Sequence, residues 1–154
     1  MNAAAQKLVT VLQLAPLPRE GGFFRPTWRT AAGSAIYFLL TPDDFSGLHR
    51  LRSDELWHFY AGDPVEHVSL DPRGGAIRVT RLGPDVLAGD APQLAVPGGC
   101  WQGARLAPGG TRGWALLGCT LAPAWDEREF ELGERAALLR EFPGAAAHIA
   151  ALAR

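Results

Sequence analysis

Residues 47–62 read G-L-H-R-L-R-S-D-E-L-W-H-F-Y-A-G, and the interpretation of this stretch decides the fold. Two segments, 46–51 and 55–61, sit on either side of the polar residues 52–54, and Gly62-Asp63-Pro64 ends the second. Both segments are too short for stable helices and are bounded by turn formers, so they read as strands. The same texture runs outward from Phe23 to about Ala122. It predicts strands near 23–29, 34–41, 46–51, 55–61, 65–70, 76–82, 93–96, 101–106 and 113–121. Short strands at this spacing build an antiparallel sandwich or barrel, because they leave no room for the crossover helices of a parallel sheet.

Helices are expected at the two ends. Over residues 3–14, Leu8, Val11 and Leu12 share one face, and Pro16-Leu17-Pro18 stops the run. Over 133–152, Ala136, Leu138, Leu139 and Phe142 suit one helix, and Ile149 and Leu152 a second beyond Pro143-Gly144. The whole chain, 1–154, reads as a single domain with a barrel core at about 20–125. Segments 34–41 and 113–121 are apolar on both faces. One face belongs inside the barrel, so the other calls for cover by the terminal helices or a second subunit.

Composition narrows the function. A net charge of −1 and a pI near 6.4 argue against nucleic acid or an anionic membrane as partner. Lys7 is the only lysine, and the arginine excess fits a general compositional bias with Ala, Gly and Pro. No apolar run reaches the ~18 residues of a membrane span, and the first residues lack a charged-then-apolar leader, which predicts a cytoplasmic protein. Cys100 and Cys119 stand outside any C-x-x-C spacing and read as small buried thiols.

A second stretch, P-G-G-C-W-Q at 97–102, completes the pattern. His49, Glu55 and Gly62 with Pro97, Gly99 and Gln102 resemble the two signature motifs of the cupin superfamily. The runs 21–29, 35–42, 45–62, 96–102 and 130–132 are similar to a branch of small single-domain cupins of bacteria and fungi, over about residues 8–152. That resemblance implies a double-stranded β-helix, or jelly-roll barrel, with short terminal helices, and usually a homodimer. It brings no agreed reaction. Metal-binding cupins place two His and one Glu from the first motif and one His from the second around a single ion. Here those positions carry His49, Leu51, Glu55 and Gln102. A divalent transition metal, if bound, would rest on His49, Glu55 and Gln102, with His58 a further ligand only if a bulge turned it inward. His58 and Glu55 are three apart, so an unbroken strand puts them on opposite faces.

Without a metal, His49 beside Glu55 forms a general acid–base pair, and His58 is a third catalytic candidate. Sugar-nucleotide epimerases are related cupins that work this way with a His base and a Tyr acid; Tyr37 or Tyr60 offers the phenol here. Arg25 shares a strand face with Thr27 and Arg29 and is a candidate anchor for a carboxylate or phosphate. Trp57, Trp101 and Gln102 complete the candidate ligand-binding set, since a small-molecule site needs apolar walls with a few convergent polar groups. The expected function is binding of a sugar-like or anionic small molecule, with metal-independent isomerase or epimerase chemistry. The alternatives are a metal-dependent oxygenase or isomerase, and a non-enzymatic, storage-like barrel.

Overall fold

The computed structural model describes residues 1–154. Its strands are β1 (Ala15–Pro16), β2 (Phe23–Arg29), β3 (Ser34–Leu40), β4 (Ser46–Arg50), β5 (Asp54–Gly62) and β6 (Val65–Asp71). They continue with β7 (Ala76–Leu82), β8 (Gln93–Val96), β9 (Trp101–Leu106), β10 (Ala115–Ala122) and β11 (Glu131–Leu132). The α-helices are α1 (Ala3–Val11), α2 (Arg135–Glu141) and α3 (Ala146–Leu152). One sheet has the order β1-β2-β3-β10-β5-β8 and the other β11-β4-β9-β6-β7, with every pairing between these strands antiparallel. β10 inserts between β3 and β5, and β9 between β4 and β6. The chain therefore passes back and forth between the sheets, which is jelly-roll connectivity.

Residue alternation along the strands explains two separate cores. Phe38, Leu40, Trp57, Leu117 and Cys119 from the first sheet meet Val65, Leu82 and Ala104 from the second inside the barrel. Leu48, Val68, Leu70 and Trp101 point out of the second sheet, against Leu138, Phe142, Ile149 and Leu152 of α2 and α3. Each fully buried Leu, Ile or Phe here contributes roughly 1.5–3 kcal/mol. The helix ends are satisfied locally. Asn2 accepts a hydrogen bond from the Ala5 N–H to cap α1, and the Glu134 carboxylate accepts from Ala136 and Ala137 to cap α2. Arg135 donates to the carbonyls of Ala150 and Ala153 and ties α2 to α3.

The expected strands match the observed ones to within a residue or two. The short β1 and β11 were not legible, because two residues carry no periodicity. The first helix ends at Val11 rather than 14. The doubly apolar strands are β3 and β10, and α2 and α3 do not cover their outer face; these helices pack on the other sheet. On that outer face Trp28 is 48% and Tyr60 52% exposed. No helix is long and apolar enough to cross a membrane.

Candidate functional site

Inside the barrel a chain of polar side chains crosses the apolar core. β4 supplies two of them through a bulge. Ser46 pairs with Ala104 and His49 with Gln102, so the register slips between them and both side chains face inward. Gly103 makes this possible: a Cβ there would lie 2.9 Å from the Ser46 carbonyl oxygen. The His49 ring is fixed by its own strand, with Nδ1–H donating to the Gly47 carbonyl at 2.8 Å. A carbonyl only accepts, so Nε2 is the basic nitrogen of the neutral ring. Glu20 reaches in from the loop before β2. Its Oε1 accepts from Ser46 Oγ at 2.7 Å and lies 4.0 Å from His49 Nδ1.

Gln102 is the hub of the remaining polar groups. Its Nε2 donates to Glu55 Oε2 at 2.6 Å, and its Oε1 accepts from Trp57 Nε1 at 2.9 Å and contacts His67 Nε2 at 3.3 Å. Glu55, His67 and Gln102 are all buried. Burial pushes the Glu55 carboxyl up to about 7; the nearby His49 opposes this, and Glu20 adds to it. Burial drives His67 down to about 4, against the hydrogen bond to Gln102. Cys119 lies against Glu55, and burial raises its thiol well above the ordinary range, so it stays protonated and unreactive. Cys100 is also a buried free thiol, touched by Arg73 at 3.5 Å.

The structure brings together His49, Glu55, Trp57 and Gln102 of the residues expected from sequence. It sends the others elsewhere. His58 lies on the outer face of the first sheet, where its ring nitrogens meet Thr120 Oγ1 at 3.1 Å and Gln93 Nε2 at 3.0 Å. β5 does carry a bulge, but the slip falls between Phe59 and Ala61, beyond His58, and cannot turn it inward. Arg25 and Tyr37 pair across β2 and β3 on the same outer face, with the guanidinium over the phenol ring and Tyr37 edge-on to Tyr60. Tyr60 lies across Gly118, whose missing Cβ leaves the room. Trp101 faces α2 and α3 on the far side of the second sheet, with Arg50 over its ring. Strand parity sends all five of these side chains out of the barrel, as the unbroken-strand reading of His58 anticipated.

Glu20, Ser46, His67 and Phe130 also join the site; Ser46 and Phe130 fall within the runs 45–62 and 130–132, but the sequence marked none of the four as a site residue. The only sequence signal for His67 was alternation, since Val65, His67 and Ser69 share one side of β6. Phe130 stacks on the His49 ring at 5.4 Å, with the Arg19 guanidinium above it. It also lines a surface cleft of about 380 Å³ with Arg50, Arg52, Arg128, Glu129 and Glu131. Arg50 is paired with Glu131, and Arg128 with Asp126. Phe130 is thus the wall between this arginine-bearing cleft and His49.

A family model described as Cupin superfamily (DUF985) matches residues 6–133. The chain belongs to the cupin superfamily. No curated protein matches the chain. Two solved structures are similar over almost the full length of both chains. One is a hypothetical protein from Leishmania major, 33% identical, TM-score 0.91, covering 97% of this chain and 98% of that one. The other is a protein from Shewanella oneidensis, 34% identical, TM-score 0.89, covering 100% and 98%. A cupin 2 domain-containing protein from Halorhodospira halophila is 16% identical with TM-score 0.63, covering 90% and 86%, and bears on the fold alone.

Cupins commonly hold a metal in the barrel, and the donors present decide whether this one can. The position of a second motif histidine carries Leu51, which is buried. Gln102 spends its amide N–H on Glu55 and its oxygen on Trp57 and His67. No three His, Cys, Asp or Glu side chains gather in a group that could hold a metal ion. This donor set does not fit a divalent transition metal.

Proposed function

We propose that this cupin binds a small, hydroxylated, anionic molecule of carbohydrate type and isomerises or epimerises it by metal-independent acid–base chemistry. The observation that carries this reading is a buried carboxyl held up to about 7 in the same interior as a histidine whose Nδ1 donates to the Gly47 carbonyl, which leaves Nε2 to accept a proton. A proton can leave a carbon next to a carbonyl for His49 Nε2, and Glu55 in its acid form can return one. In the cleft beyond Phe130, which Glu129 and Glu131 also line, Arg52 is the one arginine outside an ion pair and is the candidate anchor for an anionic group. It takes the anchoring role that sequence had suggested for Arg25.

The test is proton exchange in deuterated buffer. D-glucuronate, D-galacturonate and ribulose 5-phosphate are incubated with the protein and followed by NMR. Deuterium should enter the carbon next to the carbonyl of at least one probe, and His49→Ala should slow that entry by roughly 100-fold or more. Binding without exchange would turn the reading to a non-enzymatic binding barrel. Neither binding nor exchange would sink it.

We also propose that a second copy covers the outer face of the first sheet. The support is that Tyr37, Leu116 and the half-exposed Trp28 and Tyr60 lie on that face, among the polar His58 and Thr120, while α2 and α3 sit on the other sheet. Light scattering at micromolar concentration should give twice the chain mass, and Tyr60→Arg should shift it toward monomer. A wild-type monomer removes the proposal.

A further inference from the structure

His67 is wholly buried, yet its Nδ1 has no hydrogen-bond partner. Buried polar atoms are paired as a rule, so an orphan in a polar site calls for an explanation. Its protonation state follows from its neighbours. Trp57 Nε1–H can only donate, and it donates to Gln102 Oε1 at 2.9 Å. That contact settles which end of the amide is oxygen. The opposite end agrees, because Gln102 Nε2 sits 2.6 Å from the Glu55 carboxyl. His67 Nε2 approaches the same Oε1 at 3.3 Å. An amide oxygen only accepts, so Nε2 carries the hydrogen and Nδ1 of the neutral ring is a bare lone pair. The ring is edge-on to Trp57, 5.0 Å between centroids, which holds its orientation.

We infer that His67 is a ligand-contacting residue whose bare Nδ1 accepts a hydrogen bond from a hydroxyl of the molecule that enters the barrel. The inference rests on the proposed ligand-binding function of the same interior and adds a selectivity to it. Aldehyde or ketone oxygens, which only accept, are rejected at this nitrogen, and hydroxyl groups are taken. Burial keeps His67 neutral through the physiological range, with its pKa at about 4, so the lone pair persists there. Buried polar groups that must be paired discriminate strongly against a ligand lacking the matching group. The Trp57–Gln102–His67 chain therefore gives the barrel a sensor for one hydroxyl, coupled through Gln102 to the acid Glu55.

The test is ¹⁵N NMR on protein labelled at histidine, free and with D-glucuronate or D-galacturonate, alongside affinity measurements on His67→Leu and His67→Asn. The free protein should show His67 protonated on Nε2 and bare on Nδ1. A bound uronate should move the Nδ1 resonance toward the hydrogen-bonded range. His67→Leu should weaken uronate binding roughly 5- to 10-fold, the scale of one neutral hydrogen bond, and His67→Asn should weaken it less. A proton on Nδ1 in the free protein overturns the inference. So does a ligand that perturbs His49 while leaving His67 Nδ1 unmoved; that outcome keeps the acid–base reading alive. No response at either histidine overturns the inference and the function it rests on together.

Discussion

Trp57→Ala is expected to cost about 3–5 kcal/mol of unfolding free energy, the range for emptying a large buried aromatic site. Trp57 is 1% exposed and lies between Phe38, edge-on at 5.7 Å, and His67, edge-on at 5.0 Å. Removing the ring opens a cavity at the point where the two sheets meet, and it also removes the donor that orients Gln102. Trp57→Phe separates these effects. It keeps most of the packing and leaves Gln102 Oε1 with one donor fewer, which should cost only about 1–3 kcal/mol. Urea unfolding of the three proteins checks both values. Similar stabilities for Trp57→Phe and Trp57→Ala would mean that the amide contact, and not the ring, is what matters at this position. In the His67 ¹⁵N spectrum, Trp57→Phe should weaken the preference for the Nε2–H form, since the amide is then oriented by the Glu55 contact alone.

Glu55→Gln is expected to stabilise the protein at alkaline pH while removing the acid of the site. The carboxyl goes from an ordinary 4.5 to about 7 in the fold. Between those values the unfolded chain releases a proton that the folded chain keeps, so stability falls as pH rises. Above about 7 the fold carries the full cost of a buried charge. Glutamine stays neutral and can still accept from the Gln102 N–H. The gain at about pH 8 should reach on the order of 3 kcal/mol and vanish near pH 4. His67 works in the opposite direction. Its pKa falls from 6.5 to about 4, so its neutral burial is lost as pH drops through that window. In the wild type the two slopes offset each other between about 4.5 and 6.5. In Glu55→Gln the rising slope of His67 should stand alone. Urea midpoints at three pH values would show it, and an unchanged profile would mean that Glu55 ionises freely in the fold. Deuterium exchange into a bound uronate should fall sharply in the same variant.

Strand positions were largely legible in the chain. Apolar runs bounded by Gly, Pro and Asp located nine strands, and the spacing of His49, Glu55 and Gln102 marked three of the interior polar groups. The parity of β5 also foretold that Glu55 and His58 would face apart, as they do. Arg25, Tyr37 and Trp101 went astray because alternation says that residues share a face without saying which face is the inner one. That choice follows from what packs on each side. Phe24, next to Arg25, packs into the barrel, and Leu70, opposite Trp101, is claimed by the C-terminal helices.

By itself the sequence determined the mainly β class, the terminal helices, the membership in the cupin superfamily and a motif with two positions lacking histidine. These depend on local propensity, period and spacing, which a linear chain carries. Only the tertiary structure decided that Glu20 and Ser46 meet at His49, that Gln102 bridges Trp57, His67 and Glu55, and that Phe130 stacks on His49 while lining the surface cleft. Those residues come from strands and loops far apart in the chain. Their meeting depends on bulges and sheet registers set by long-range packing, and so do the burial that lifts Glu55 to about 7 and the bare nitrogen of His67.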